Sequence, residues 1–128
     1  MPTSKEHQLV AKVNRKLLDA NGGLWNSDER WAAVIAFYTA LHLVESLASQ
    51  EGCRNADHKQ RDRYLADHPE HCEIHEAYGN LHFAAHQARY GSIGAFARQF
   101  AGKAVEKTLI NKHLADIEKY CEKVFPFL

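Results

Sequence analysis

Residues 67–91, DHPEHCEIHEAYGNLHFAAHQARYG, carry His68, His71, His75, His82 and His86 followed by Arg89. Imidazoles at this density can hold a metal, move a proton near neutral pH, or line the polar edge of a helix. On a helix that advances about 100° per residue, His71, His75, His82 and His86 fall within an arc of about 60°, with Arg89 inside it. His71/His75 and His82/His86 are spaced so that each pair could direct two nitrogens at one ion. The rest of a site is missing. A structural zinc takes four protein ligands, no Cys-x-x-Cys or His-Glu-x-x-His pattern supplies them, and Cys72 points about 100° away from His71. The histidines are therefore expected to flank a core stripe of Ile74, Tyr78, Leu81, Ala85 and Ala88, with no metal and no cofactor. A metal-binding bundle built on the arc is the competing reading.

The helix carrying this arc is expected over about Pro69 to Tyr90. Asp67 or His68 would cap it, Pro69 would sit in its first turn, and Gly91 would take a left-handed C-terminal position. A first helix is expected from Ser4 to Ala20, with Leu9, Val10, Val13, Leu17 and Leu18 at helical spacing, ending at the left-handed turn Asn21-Gly22-Gly23. The second would start after an N-cap at Ser27, with Asp28 and Glu29 at its positive end, and run to Gln50. Its apolar residues, from Trp31 to Leu47, occupy more than one face, so it is expected to be the central element. Residues 52–67 read as a connection with a short helix near His58 to Leu65. After Gly91, apolar residues from Phe96 to Val124 recur at helical steps, with a break at Gly102. Strand signals are nearly absent, so the expected fold is all-α: a single domain over residues 1–128, a four- to five-helix up-down antiparallel bundle.

Composition narrows the function classes. The 128 residues carry 16 basic and 16 acidic side chains, so the overall field gives no general attraction for nucleic acid or anionic lipid. Three cysteines, an odd number without a close motif, argue against a secreted disulfide scaffold and fit reduced thiols in a cytoplasm. The charged start MPTSKEHQLVAKVNRK has no apolar signal-peptide region. The most apolar segment, WAAVIAFYTALHLVESLA, contains His42 and Glu45, so it reads as a buried helix and no membrane partner is expected.

Two segments carry a family resemblance. FYTALHLVESLAS, residues 37–49, is similar to the aromatic-Tyr-x-x-apolar-His pattern on the second long helix of many HEPN proteins, with Tyr38 and His42 at the matching positions. HQARYG, residues 86–91, resembles the end of their third helix, where Arg89 takes the place of a family arginine. The resemblance implies a cytoplasmic, dimer-forming, mostly prokaryotic helical domain of toxin–antitoxin, defence or nucleotidyltransferase-linked systems. Active members are metal-independent ribonucleases in which a histidine follows the arginine. The arginine can hold the scissile phosphate while the histidine moves the 2′-hydroxyl proton. Here Arg89 is followed by YGSIGAF, without a histidine. A literal arginine–histidine spacing, RYLADH at Arg63 to His68, lies in the connection before the third helix and reads as coincidence.

The expectation is a non-catalytic module that binds RNA, a nucleotide or a partner protein from the same locus, as a homodimer. Its site would be Tyr38, His42, Tyr78, His82, His86, Arg89 and Tyr90. A divergent ribonuclease would instead use Arg89 with His86 as the replacement base. His42 is expected to be a core histidine satisfied by Tyr78 or Arg89. Arg54, Lys59, Arg61 and Arg63 form a basic cluster diluted by Asp57 and Asp62, which reads as a solvated loop. Trp25 and Trp31 read as core or interface anchors.

Overall fold

The computed structural model describes residues 3–55, 57–101 and 103–124, and among these there is no strand. The helices are α1 (Ser4–Asp19), α2 (Leu24–Ser27), α3 (Glu29–Gln50), α4 (His58–Asp67), α5 (Cys72–Tyr90), α6 (Ile93–Gln99) and α7 (Ala115–Val124). Val105–Leu114 is wound as a π-helix and runs directly into α7. Short 3₁₀ turns, Ala20–Gly22 and Pro69–His71, precede α2 and α5. The break expected at Gly102 lies outside the described residues.

Helix starts follow local capping chemistry. Thr3 accepts from the Glu6 amide at 3.1 Å, Asp57 from the Gln60 amide at 2.9 Å, and Ser92 from the Ala95 amide at 3.0 Å, each satisfying an otherwise unpaired N–H. The cap of α3 is Asp28, whose carboxylate accepts from the Trp31 amide at 3.0 Å. The expected cap, Ser27, instead closes α2 by donating to the Leu24 carbonyl. The Asn21-Gly22-Gly23 turn is left-handed as expected, with φ of 55°, 80° and 112°. Gly91 departs from expectation: its φ of −81° and ψ of 165° are extended. A Cβ there would stand 2.7 Å from the Gln87 carbonyl oxygen, so close approach, not handedness, calls for glycine.

The core is built around α3, whose residues from Ala32 to Phe37 and many beyond are buried. It packs against α1, α2, α5, α7 and the π segment. Its length and apolarity would suffice to cross a membrane, but most of that stretch is buried inside the fold. Leu65, Ile74, Tyr78, Leu81, Leu109, Ile110, Leu114, Ile117 and Cys121 complete the interior.

Of the large apolar residues spaced along the first helix, only Leu18 faces the core. Ala11 and Leu18 are buried, while Leu9, Val10, Val13 and Leu17 are 41–58 % exposed. The inward side is polar towards its N-terminal end: Ser4 and Gln8 hydrogen-bond Ser46 at 2.7 and 3.0 Å, and His7 meets His42. These contacts use the polar face of an amphipathic helix, which leaves its apolar stripe outward. Trp31 and Val124 are likewise exposed, whereas Trp25 packs partly against the core.

Candidate functional site

Arg89, on the last turn of α5, donates from Nη1 to the Tyr38 hydroxyl on α3 at 2.8 Å. Two of the three positions that carry the resemblance, Tyr38 and Arg89, are thus in direct contact, while the third, His42, is not part of it. Tyr90 lies beside them, its ring centroid 5.3 Å from the Arg89 guanidinium carbon and 5.0 Å from the His86 ring. Arg89, Tyr90 and His86 are all exposed. Arg89 and Tyr90 border an open depression of about 550 Å³ walled by Trp31 and Val34. Arg30 fixes its floor by donating to the Ala88 and Gly91 carbonyls at the end of α5, where the helix dipole favours a cation. That end-capping role falls to Arg30, which leaves Arg89 turned to solvent.

A second cluster adjoins this face along α3. His82 stacks on Phe37 with centroids 5.0 Å apart, and the His58 ring lies 4.4 Å from His82. Arg61, buried on α4, pairs its Nε with the Glu45 carboxylate. From Nη1 it donates to His58 Nδ1 at 2.9 Å and to the Tyr78 hydroxyl at 3.4 Å. A guanidinium does not give up its proton, so His58 Nδ1 must be the acceptor and the ring is neutral there. Burial, helped by the neighbouring His82 and Arg61, holds His58 below the ordinary histidine range. His82 is lowered by burial and then by His86 and Arg61. Tyr78 is raised by burial and stays a phenol.

The expected site residues divide accordingly. Tyr38, His86, Arg89 and Tyr90 share one exposed face, and His82 continues it inward. Tyr78 is buried and committed to Arg61. His42 turns to α1, its Nδ1 3.0 Å from that of His7, so neither Tyr78 nor Arg89 satisfies it as expected. Its pKa is lowered, by burial first and His7 second.

The histidine arc is also divided. His71 bonds Glu51 and Tyr120, His75 meets Asp62 at 2.8 Å, His82 joins His58, and His86 joins Tyr90. Among the described residues, the hydrogen-bond and ring partners of the two i,i+4 pairs differ within each pair. Arg63 stands exposed on α4, and His68 is tied by Nδ1 to the Tyr64 carbonyl at 2.7 Å. The basic cluster is not uniformly solvated, because Arg61 is buried.

Glu45, His58 and Arg61 were not among the expected site residues. The available signal was Glu45 itself, a carboxylate inside an apolar helix that requires a cation. His58 and Arg61, three residues apart on α4, could supply that side of the network.

No family model, curated protein or solved structure matches this chain.

Proposed function

We propose that the chain is a HEPN-like module that binds a phosphate-bearing ligand, RNA or a nucleotide, at the Tyr38–Arg89 face without catalysis of its own. The observation that carries this reading is the Arg89–Tyr38 hydrogen bond, which joins two of the three motif positions beside an open depression. A guanidinium exposed at one edge offers charge-assisted donors to a phosphate, and Tyr38 holds it in place. Trp31 and Tyr90 present apolar ring surface at the same depression, where a base could stack.

The module is a cytoplasmic homodimer of a prokaryotic defence or toxin–antitoxin-type locus, with a partner protein from that locus. The outward stripe of Leu9, Val10, Val13 and Leu17 supports the homodimer, because a contiguous exposed apolar patch is costly unless covered. Four long elements, α1, α3, α5 and the π segment with α7, would form an up-down bundle, with α4 and α6 in its connections. The ribonuclease alternative draws on the exposed His86 beside Tyr90, one helical turn from Arg89.

The test is a titration of isotope-labelled protein with a short single-stranded RNA, beside a cleavage assay with and without chelator. RNA-induced shifts around Tyr38, lost in Arg89→Ala, are expected, with the RNA intact. Equal shifts in both proteins would remove the basis for the site. Chelator-resistant cleavage abolished by both His86→Ala and Arg89→Ala would make it a ribonuclease.

A further inference from the structure

At the far end of α3 a different group of side chains converges. Glu51 lies just past that helix, Glu70 and His71 are in the 3₁₀ turn before α5, Tyr64 is on α4 and Tyr120 on α7. His71 is 4 % exposed, while both glutamates are open to solvent. One ligand atom from each of Glu51, Glu70 and His71 lies within 4.8 Å of the others.

The hydrogen bonds orient the imidazole within this group. The Tyr120 hydroxyl has one proton and donates it to the Glu70 carbonyl. His71 Nδ1, hydrogen-bonded to that same hydroxyl, must therefore be the donor. Its other nitrogen, Nε2, faces Glu51 Oε1 at 2.6 Å, and that oxygen already accepts from the Tyr64 hydroxyl. A proton on Nε2 makes this contact a charged hydrogen bond to Glu51, and without that proton the Nε2 lone pair is free to ligate a cation beside the same oxygen.

The Glu70 carboxylate is hydrated at the surface, and it stands close enough to join His71 and Glu51 around one ion. A divalent cation would take the Nε2 lone pair and one oxygen from each carboxylate. Zinc ligands at about 2.0–2.2 Å stand about 3.4 Å apart in a tetrahedron, so a bound ion would replace the 2.6 Å His71–Glu51 contact with a wider one, by rotation of the exposed Glu51 side chain. The supporting contacts are those a ligating histidine needs: its second nitrogen donates through Tyr120 to a backbone carbonyl, which fixes tautomer and orientation.

We propose that Glu51, Glu70 and His71 form a binding site for a first-row divalent cation such as zinc. One imidazole and two carboxylates suit zinc or manganese better than copper or a soft ion. The solvent-open carboxylates leave room for water as the remaining ligand, as in sites with three protein ligands. The cation would tie together the end of α3, the turn entering α5 and, through Tyr120, α7. It uses only one histidine of the arc and stands apart from the Tyr38–Arg89 face, so its test does not depend on RNA binding.

The test is zinc content by elemental analysis after equilibrium dialysis of the intact chain, with affinity from competition against a chromophoric chelator. About one zinc per chain is expected, weakened about ten-fold or more in Glu51→Gln and in Tyr120→Phe and unchanged in His75→Ala. Glu51 is exposed, and circular dichroism checks that the variants fold. Histidine nitrogen NMR should show Nδ1 protonated and Nε2 shifted by zinc. The proposal is overturned by no zinc above background or by a doubly protonated His71 that zinc does not alter. Retention in Glu51→Gln with loss in His75→Ala, an adventitious ion on the arc, overturns it equally.

Discussion

Arg61 and Arg89 have similar neighbours and opposite roles. Each donates to a tyrosine hydroxyl, Tyr78 for Arg61 and Tyr38 for Arg89, and each has a histidine nearby. Arg61 is buried and its charge is met by Glu45. Arg89 is exposed, and among the described residues no carboxylate forms an ion pair with it. A buried, compensated guanidinium is part of the framework, because moving it would strand a charge in the interior. An exposed guanidinium held by one neutral hydroxyl retains donors for an incoming anion.

The sharpest way to break this contrast is to remove the partner of Arg61 and, separately, Arg89 itself. Glu45→Ala leaves Arg61 buried without its carboxylate and should cost about 3 kcal/mol in urea unfolding. Arg89→Ala should stay within about 0.5 kcal/mol of the parent. Equal losses would mean that both arginines are structural.

A smaller effect should appear with pH. His42, His58 and His82 all have lowered pKa values in the fold, with burial as the leading cause. The unfolded chain, with histidines at the ordinary 6.5, takes up protons first as pH falls. Their contribution is complete above that value and is lost progressively below it, towards the lowered folded values. Melting temperature should therefore drop between about pH 7 and pH 5.5, and His58→Gln should flatten that drop. A melting temperature that rises on acidification would contradict the neutral, framework-bound histidines next to Arg61.

The smallest effect belongs to Tyr38→Phe. It removes one exposed hydrogen bond, so stability should change by about 0.5 kcal/mol or less. RNA affinity should fall a few-fold as Arg89 loses its positioning. An unchanged affinity would assign Arg89 a binding role that does not need Tyr38.

What was legible in the sequence was periodic or local. The all-helical content, the central α3 and the left-handed turn at Asn21 follow from apolar spacing and glycine chemistry. Ser27 and Asp28 are both good caps, and which one closes the helix depended on the separate turn Leu24–Ser27. The periodicity of α1 was legible but its facing was not, because amphipathic spacing marks an apolar side without naming what covers it. Here Ser46 and His42 claim the polar side. The Glu45–Arg61 pair spans 16 positions in sequence, and only the packing of α4 on α3 brings it together. The same holds for His71 and Tyr120, which are 49 residues apart. Tyr38 and Arg89 were within reach of sequence reasoning because each stood in a short motif.

The π winding of Val105–Leu114 has one further consequence. Its hydrogen bonds step by five residues, with the Ala115 amide reaching the Ile110 carbonyl, so the segment works as a phase shifter between the helix it begins and the one it becomes. Rewinding it with the ordinary four-residue step would rotate α7 about its own axis, turning Ile117 and Cys121 out of the core and Tyr120 away from His71. The length of that segment is therefore timed: a single-residue insertion or deletion there would act at a distance, altering the angular address of every side chain that follows.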